Sequence, residues 1–241
     1  MKKNKGGNQI LQKLKKFWKF LWYDDSLLSW VLNIVFAFIF IKFLLFPGLG
    51  FAFQSELPIV AVVSGSMEHK LVHPCNQYVL DGICTQHDKT SYEICGESTI
   101  VKEKITLDVF WDYCGEWYDE RNISQDQFAE FSFKKGFNIG DVMFIHGKSF
   151  DKVELGDIIV FRSRDGIPII HRVVSVYYED GEKRVQTKGD HNADSISAGL
   201  RSELAIGENQ YIGTAVGKIP FVGQVKLVFV KTLVWFSGLF N

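Results

Sequence analysis

Residues 27–46, LLSWVLNIVFAFIFIKFLLF, constrain this chain more than any other stretch. The run carries a single charge, Lys42. At about 1.5 Å of rise per helical residue it is long enough to cross a hydrocarbon layer about 30 Å thick. Lys42 lies near one end, where its stem can carry the ammonium to the interface. Lys2, Lys3, Lys5, Lys13, Lys15, Lys16 and Lys19 all precede the first acidic residue, Asp24. The positive-inside rule therefore makes residues 1–26 a basic cytoplasmic arm and puts the chain from about Pro47 onward outside, or in a lumen. Trp18, Trp22, Tyr23 and Trp30 suit the inner interface. A cleaved leader fits poorly. The apolar core is too long, and Pro47-Gly48-Leu49-Gly50 is a poor cleavage site.

The arm does not make the chain a nucleic-acid binder, because the net charge over all 241 residues is −1. That length allows one or two domains with a packed core. A second apolar segment closes the chain at residues 219–241 but carries Lys226 and Lys231. A lysine near a bilayer centre costs about 2.5–3.5 kcal/mol. A spanning helix and an interfacial one both stay open for this segment.

Between the two lies the outside domain. Residues 57–63 read as a strand leading to Ser64-Gly65-Ser66. Residues 69–135 are irregular and polar, and they hold all four cysteines, Cys75, Cys84, Cys95 and Cys114. No pair has the C-x-x-C spacing of a metal ribbon or redox motif. One or two disulfides are expected in an exported segment, with three pairings possible. Asn122-Ile123-Ser124 is a glycosylation sequon. We take 69–135 as an inserted lobe without chemistry of its own. From 136 to 218 the pattern is that of short strands. Gly140-Asp141 and Gly156-Asp157 each turn into four apolar residues, and Asp165-Gly166 and Asp180-Gly181 are hairpin turns. The fold class is mostly β, a sheet or barrel formed by residues 47–68 and 136–218.

The chemistry starts from Ser66. A serine hydroxyl needs a base within hydrogen-bond reach, and the base needs an orienting partner. His171, in the middle of a strand, is the best-placed base. Asp190 and Asp194, in the turn after the next strand, are candidate partners for the imidazole. Ser64 can donate to an oxyanion alongside the Ser66 backbone N–H. An imidazole base implies that activity falls as pH drops through the histidine range, near ~6.5. A metal site built from His171, Asp190, His191 and His146 follows no ligand spacing, and serine hydrolysis needs neither metal nor other cofactor.

Four boxes in this order resemble those of type I signal peptidases: Ser64-Gly65-Ser66-Met67-Glu68, Gly156-Asp157-Ile158-Ile159-Val160-Phe161, Ile169-Ile170-His171-Arg172-Val173-Val174 and Thr187-Lys188-Gly189-Asp190-His191-Asn192. The resemblance is to the archaeal and ER branch, because His171 stands where the bacterial branch has a lysine. It covers the anchor, residues 57–68 and 137–223, and leaves out the insert. It implies a mostly β catalytic domain seated on a membrane, with Ser66 as nucleophile and His171 as base. It also gives importance to two aspartates, which map to Asp190 and Asp194. It implies signal peptides of secretory preproteins as substrates, cut after small residues at positions −1 and −3. The bilayer, and accessory subunits or export machinery, are its implied partners. One departure is His69, where the family commonly has proline. Two rival readings stand beside this one: an anchored binding module without catalysis, and a related serine peptidase that processes other surface proteins.

Overall fold

The structure is a computed structural model describing residues 5–78 and 84–220. The apolar tail considered above, from residue 221 on, lies outside the described residues, and so does the question of whether it spans. The chain divides into two units, Met1–Ala52 and Phe53–Asn241.

The first unit is helical. Helix α1, Lys5–Tyr23, turns at Asp24 and Asp25 into α2, Leu27–Phe40. Ser26 caps α2, its hydroxyl accepting from the Ser29 N–H. The last carbonyls of α1 need partners once the helix stops. The Ser29 hydroxyl donates to Phe20 O at 2.9 Å, and the Asn33 amide donates to Leu21 O at 2.6 Å. These two polar side chains in an apolar run thus close the α1–α2 corner. Beyond α2 comes a π-helical segment, Ile41–Leu45, and then α3, Phe46–Phe53. Pro47 has no N–H to donate, so a regular ladder cannot pass through it. The widened π turn absorbs the defect, with the Phe46 N–H reaching Ile41 O. The helical path therefore runs on past Pro47, where the sequence reading ends the apolar run. Leu27–Phe53 is long and apolar enough to cross a membrane, with a mean hydropathy of 2.3 over an 18-residue stretch.

The second unit is built on a six-stranded antiparallel sheet. In chain order the strands of this unit are β1 (Ile59–Ala61), β2 (Cys75–Tyr78), β3 (Cys84–His87), β4 (Tyr92–Ile94), β5 (Glu97–Thr99), β6 (Val142–His146), β7 (Ile158–Arg162), β8 (Pro168–Glu179), β9 (Glu182–Lys188) and β10 (Tyr211–Ile219). The main sheet runs β1-β6-β10-β7-β8-β9. The two Gly-Asp turns are repeats in geometry as well as in sequence. Asp141 accepts from the Asn138 N–H and Asp157 from the Glu154 N–H, each at 2.9 Å. Each carboxylate thus closes the turn that launches its strand, β6 or β7.

Strand β7 is buried on both faces, which explains its unbroken apolar run. Ile158 and Val160 pack with Val62, Met67, Met143 and Ile145. Ile159 and Phe161 pack on the other side with Phe150, Val173, Val185 and Ile206. Asp180 and Gly181 have φ of 51° and 80°, the left-handed pair that a tight β8–β9 hairpin needs. The mostly β architecture expected from the sequence is what the chain adopts.

The lobe is more ordered than its sequence suggests. β2 pairs with β3 and β4 with β5. Two helices follow, α4 (Leu107–Asp119) and α5 (Gln125–Glu130). Thr106 and Ser124 cap them, each side chain accepting from an N–H three residues on. Phe110, Tyr118, Phe128, Ile94 and Ile123 make a second core that takes in Val174 of β8, and Cys95–Cys114 is a disulfide. The irregular, polar stretch is a small aromatic-cored subdomain.

Candidate active site

Ser66 lies in a turn closed by Glu68 N–H donating to Gly65 O at 3.0 Å. A set of hydrogen bonds fixes that turn to the sheet domain. Ser66 O accepts from the His191 N–H at 2.8 Å and Met67 O from the Phe137 N–H at 3.0 Å. The Glu68 carboxylate accepts from the Ile139 N–H at 2.9 Å. The Met67 side chain is buried beneath. At Gly189 the chain passes so close that an added Cβ would lie 2.8 Å from Ser66 O and 2.9 Å from its Cβ. No side chain is tolerated there without moving the serine.

His171 is on β8, paired with Ile159 of β7, and is only 4% exposed. Its Nε2 stands 2.8 Å from Ser66 Oγ. Residues 105 positions apart are thus in direct hydrogen-bond contact. The other ring nitrogen, Nδ1, is bonded to Glu203 Oε1. Glu203 is fully buried and held by two more donors. The Thr187 hydroxyl reaches Oε1 at 2.9 Å and the Ile196 N–H reaches Oε2 at 2.8 Å. An ionised carboxylate on Nδ1 leaves the proton there and the Nε2 lone pair facing the serine, the arrangement a general base requires.

Ser64 is where an oxyanion donor is expected. Its Oγ is 3.1 Å from Ser66 Oγ and accepts the Ser66 N–H at 3.2 Å. A substrate oxygen entering here would take the Ser66 N–H from Ser64 and leave the Ser64 hydroxyl able to donate to it.

The two aspartates go elsewhere. Asp190 is fully buried and receives Arg172 through Nε at 2.8 Å and Nη2 at 2.7 Å. His69 Nε2 is 2.9 Å from its Oδ2, and the Tyr118 hydroxyl is 3.4 Å from Oδ1. Burial pushes the Asp190 carboxyl up, but the Arg172 charge and the His69 and Arg172 hydrogen bonds outweigh it and hold the group well below its usual range. Asp194 accepts from Trp117 Nε1 at 2.9 Å and from the Ser195 N–H at 2.7 Å, and it is largely exposed. Sequence reasoning put one of these acids on the imidazole, yet that place is taken by Glu203. Glu203 stands in irregular chain after a 3₁₀ turn, Gly199–Arg201, and no spacing rule points to it. Its fixing signal is the pairing of its backbone with Thr187, the penultimate residue of β9.

A groove of about 440 Å³ opens beside the serine turn, lined by Gly65, Ile139, His191 and Asn192 on one wall and by Val72 and Gly96 of the lobe on the other. A larger hollow of about 540 Å³, near Phe150, Tyr178 and Glu208, holds none of the site residues. Among the described residues no three His, Cys, Asp or Glu side chains group as a metal site.

No family model matches the chain. Curated relatives do. The signal peptidase complex catalytic subunit SEC11 of Candida albicans (strain WO-1) is 30% identical over 112 residues, 45% of this chain and 66% of the relative. The corresponding subunit of Sclerotinia sclerotiorum is 33% identical over 100 residues, 40% of this chain and 58% of the relative. Human signal peptidase complex catalytic subunit SEC11C is 34% identical over 101 residues, 40% of this chain and 52% of the relative. The chain thus spans just under two thirds of the first of these relatives and about half of the last.

Proposed function

We propose that the chain belongs to the type I signal peptidase family, in the branch that includes the signal peptidase complex catalytic subunits, and that it is a membrane-bound serine endopeptidase that removes signal peptides from exported preproteins. The observation that carries this reading is the Ser66–His171–Glu203 line, with 2.8 Å between hydroxyl and imidazole. A binding module has no need of a buried histidine poised between a serine and a carboxylate.

In the proposed cycle His171 Nε2 takes the proton of Ser66 as its Oγ attacks the scissile carbonyl carbon. The oxyanion that forms is met by the Ser66 N–H and the Ser64 hydroxyl. Glu203 stabilises the imidazolium, which then protonates the leaving amine as the peptide C–N bond breaks. A water, deprotonated by His171, opens the resulting ester and returns the proton to Ser66. Asp190 has no place on this path. It is a buried anchor for Arg172, next in sequence to the base. The groove beside Gly65 is where one flank of the extended substrate would lie. As for its relatives, the natural setting would be a signal peptidase complex, with accessory subunits beside this catalytic one.

The test is cleavage of a preprotein with an Ala-x-Ala site by wild-type chain and by Ser66→Ala. Cleavage should be abolished in the variant at unchanged expression. Equal cleavage by the two would remove Ser66 as nucleophile.

A further inference from the structure

His69 follows the proposed nucleophile by three residues and belongs to the same segment. Its ring lies flat against Phe110 of α4, with centroids 4.0 Å apart and planes 7° from parallel. Phe128 of α5 stands 6.2 Å away, its plane tilted 28° from the imidazole. The ring edge is bonded to Asp190, Nε2 to Oδ2 at 2.9 Å. Because that carboxylate is ionised it can only accept, so His69 carries its proton on Nε2. The Asp190 turn is in turn the one whose next residue, His191, holds Ser66 O.

The same carboxylate binds Arg172, the residue after the proposed base. Asp190 thus joins the chain just past the serine to the chain just past the histidine, without touching either. The lobe closes this joint from outside. Phe110 covers His69, the Tyr118 hydroxyl reaches Asp190 at 3.4 Å, and the Arg172 guanidinium lies 4.8 Å over the Phe128 ring. Cys95 adds a backbone link, its N–H donating to His191 O at 2.9 Å.

We propose that His69 is a positioning residue, and that the inserted lobe works through it to set the distance between the Ser66 hydroxyl and the His171 imidazole. The inference rests on the serine–histidine reading above. Among the described residues the lobe makes no hydrogen bond to the reacting pair, yet it covers a buried joint that helps fix their spacing. Stacking restrains the ring plane, and the hydrogen bond restrains its edge. Losing either lets the serine turn drift relative to β8, and drift of about 1 Å costs on the order of 100-fold in rate.

The experiment uses the full chain and two readouts: labelling of Ser66 by a fluorophosphonate probe, and kcat and KM for a preprotein with an Ala-x-Ala site. His69→Phe keeps the stack and loses the donor. It should lower kcat and the labelling rate about 10- to 100-fold, with KM within twofold and the melting temperature nearly unchanged. His69→Gln returns a donor at the position of Nε2 and should recover most of the labelling rate. Phe110→Leu keeps the apolar volume and loses the flat face, and kcat should drop several-fold at constant KM. A His69→Phe protein that labels and cleaves like wild type overturns the inference. So does a loss that only tracks melting temperature and is not relieved by glutamine. If His69→Phe fails to fold, Phe110→Leu with unchanged kcat overturns it alone. A wild-type chain that is neither labelled nor active sinks the serine–histidine reading itself, and this inference with it.

Discussion

At the scale of single residues, the acid that serves the imidazole is the telling case. Three carboxylates compete for the role, and their surroundings separate them. Asp190 is spoken for by Arg172 and His69. Asp194 faces Trp117 in a largely exposed position. Glu203 alone is bonded to Nδ1, and it is buried with that ring as its direct ion-pair contact. A carboxylate so placed does two things in the proposed cycle: it fixes the tautomer, and it offsets the positive charge that develops on the ring. Glu203→Gln keeps shape and volume but can present an amide N–H to Nδ1, which would turn the Nε2–H toward the serine. We expect kcat to fall about 10³- to 10⁴-fold with KM little changed. Asp194→Asn should cost less than about threefold in the same preprotein assay. The reverse ranking would return the orienting role to the aspartate. The serine and the histidine were legible because each had a motif around it. Glu203 was not, since its place depends on how residues 196–206 fold back along β9.

At the scale of elements, the strands and their turns could be read directly, because Gly-Asp and Asp-Gly pairs punctuate short apolar runs. The lobe helices could not. In α4 the sequence LDVFWDYCGEWYD is rich in aromatics and holds a glycine, a poor helix former by propensity. Its apolar residues nonetheless recur at 107, 110, 111, 114 and 118, the spacing of one helical face. Tertiary packing and the Cys95–Cys114 bridge supply what propensity lacks. The seam between α4 and the end of β9 holds a buried lysine. Lys188 Nζ lies 4.9 Å over the Trp117 ring and 5.1 Å over that of Tyr118, and it donates to Gly189 O at 3.2 Å. Burial pushes its pKa down to about 8, against the pull of Asp190, Asp194 and Glu203. The unfolded chain titrates this group near 10.5 and so holds more protons than the folded chain between about pH 8 and 10.5. Stability contributed here therefore rises with pH across that window, and below it the buried charge is a cost of at most about 3 kcal/mol. Lys188→Met should remove the rise and leave the protein at least as stable as wild type at pH 7. Denaturant titrations at pH 7 and pH 9.5 measure both effects. A variant that keeps the alkaline gain would place its source elsewhere.

At the scale of the whole molecule, the apolar helix and the sequon together make the topology testable. The helix of Leu27–Phe53 has the length and hydropathy of a span, and the lysine-rich arm precedes it. If the arm stays in the cytoplasm, everything past the span is translocated, including Asn122. That asparagine is well placed to report it. It stands exposed, with φ of 59°, in the turn between α4 and α5, while Ile123 is buried behind it and Ser124 caps α5. The acceptor amide is therefore presented on a fixed, outward turn. Translation of the full chain with ER-derived microsomes should yield a product that resists alkaline extraction. It should also gain an endoglycosidase-sensitive increase in mass that is lost in Asn122→Gln. Added protease should trim the arm and spare the lobe. The serine, the histidine and the lobe share one unit of the chain, so the glycan reports the compartment of the proposed catalytic pair as well. A membrane-inserted but unglycosylated product with a protease-sensitive lobe would place that pair on the cytoplasmic side, away from translocated preproteins, and the peptidase reading would lose its substrates.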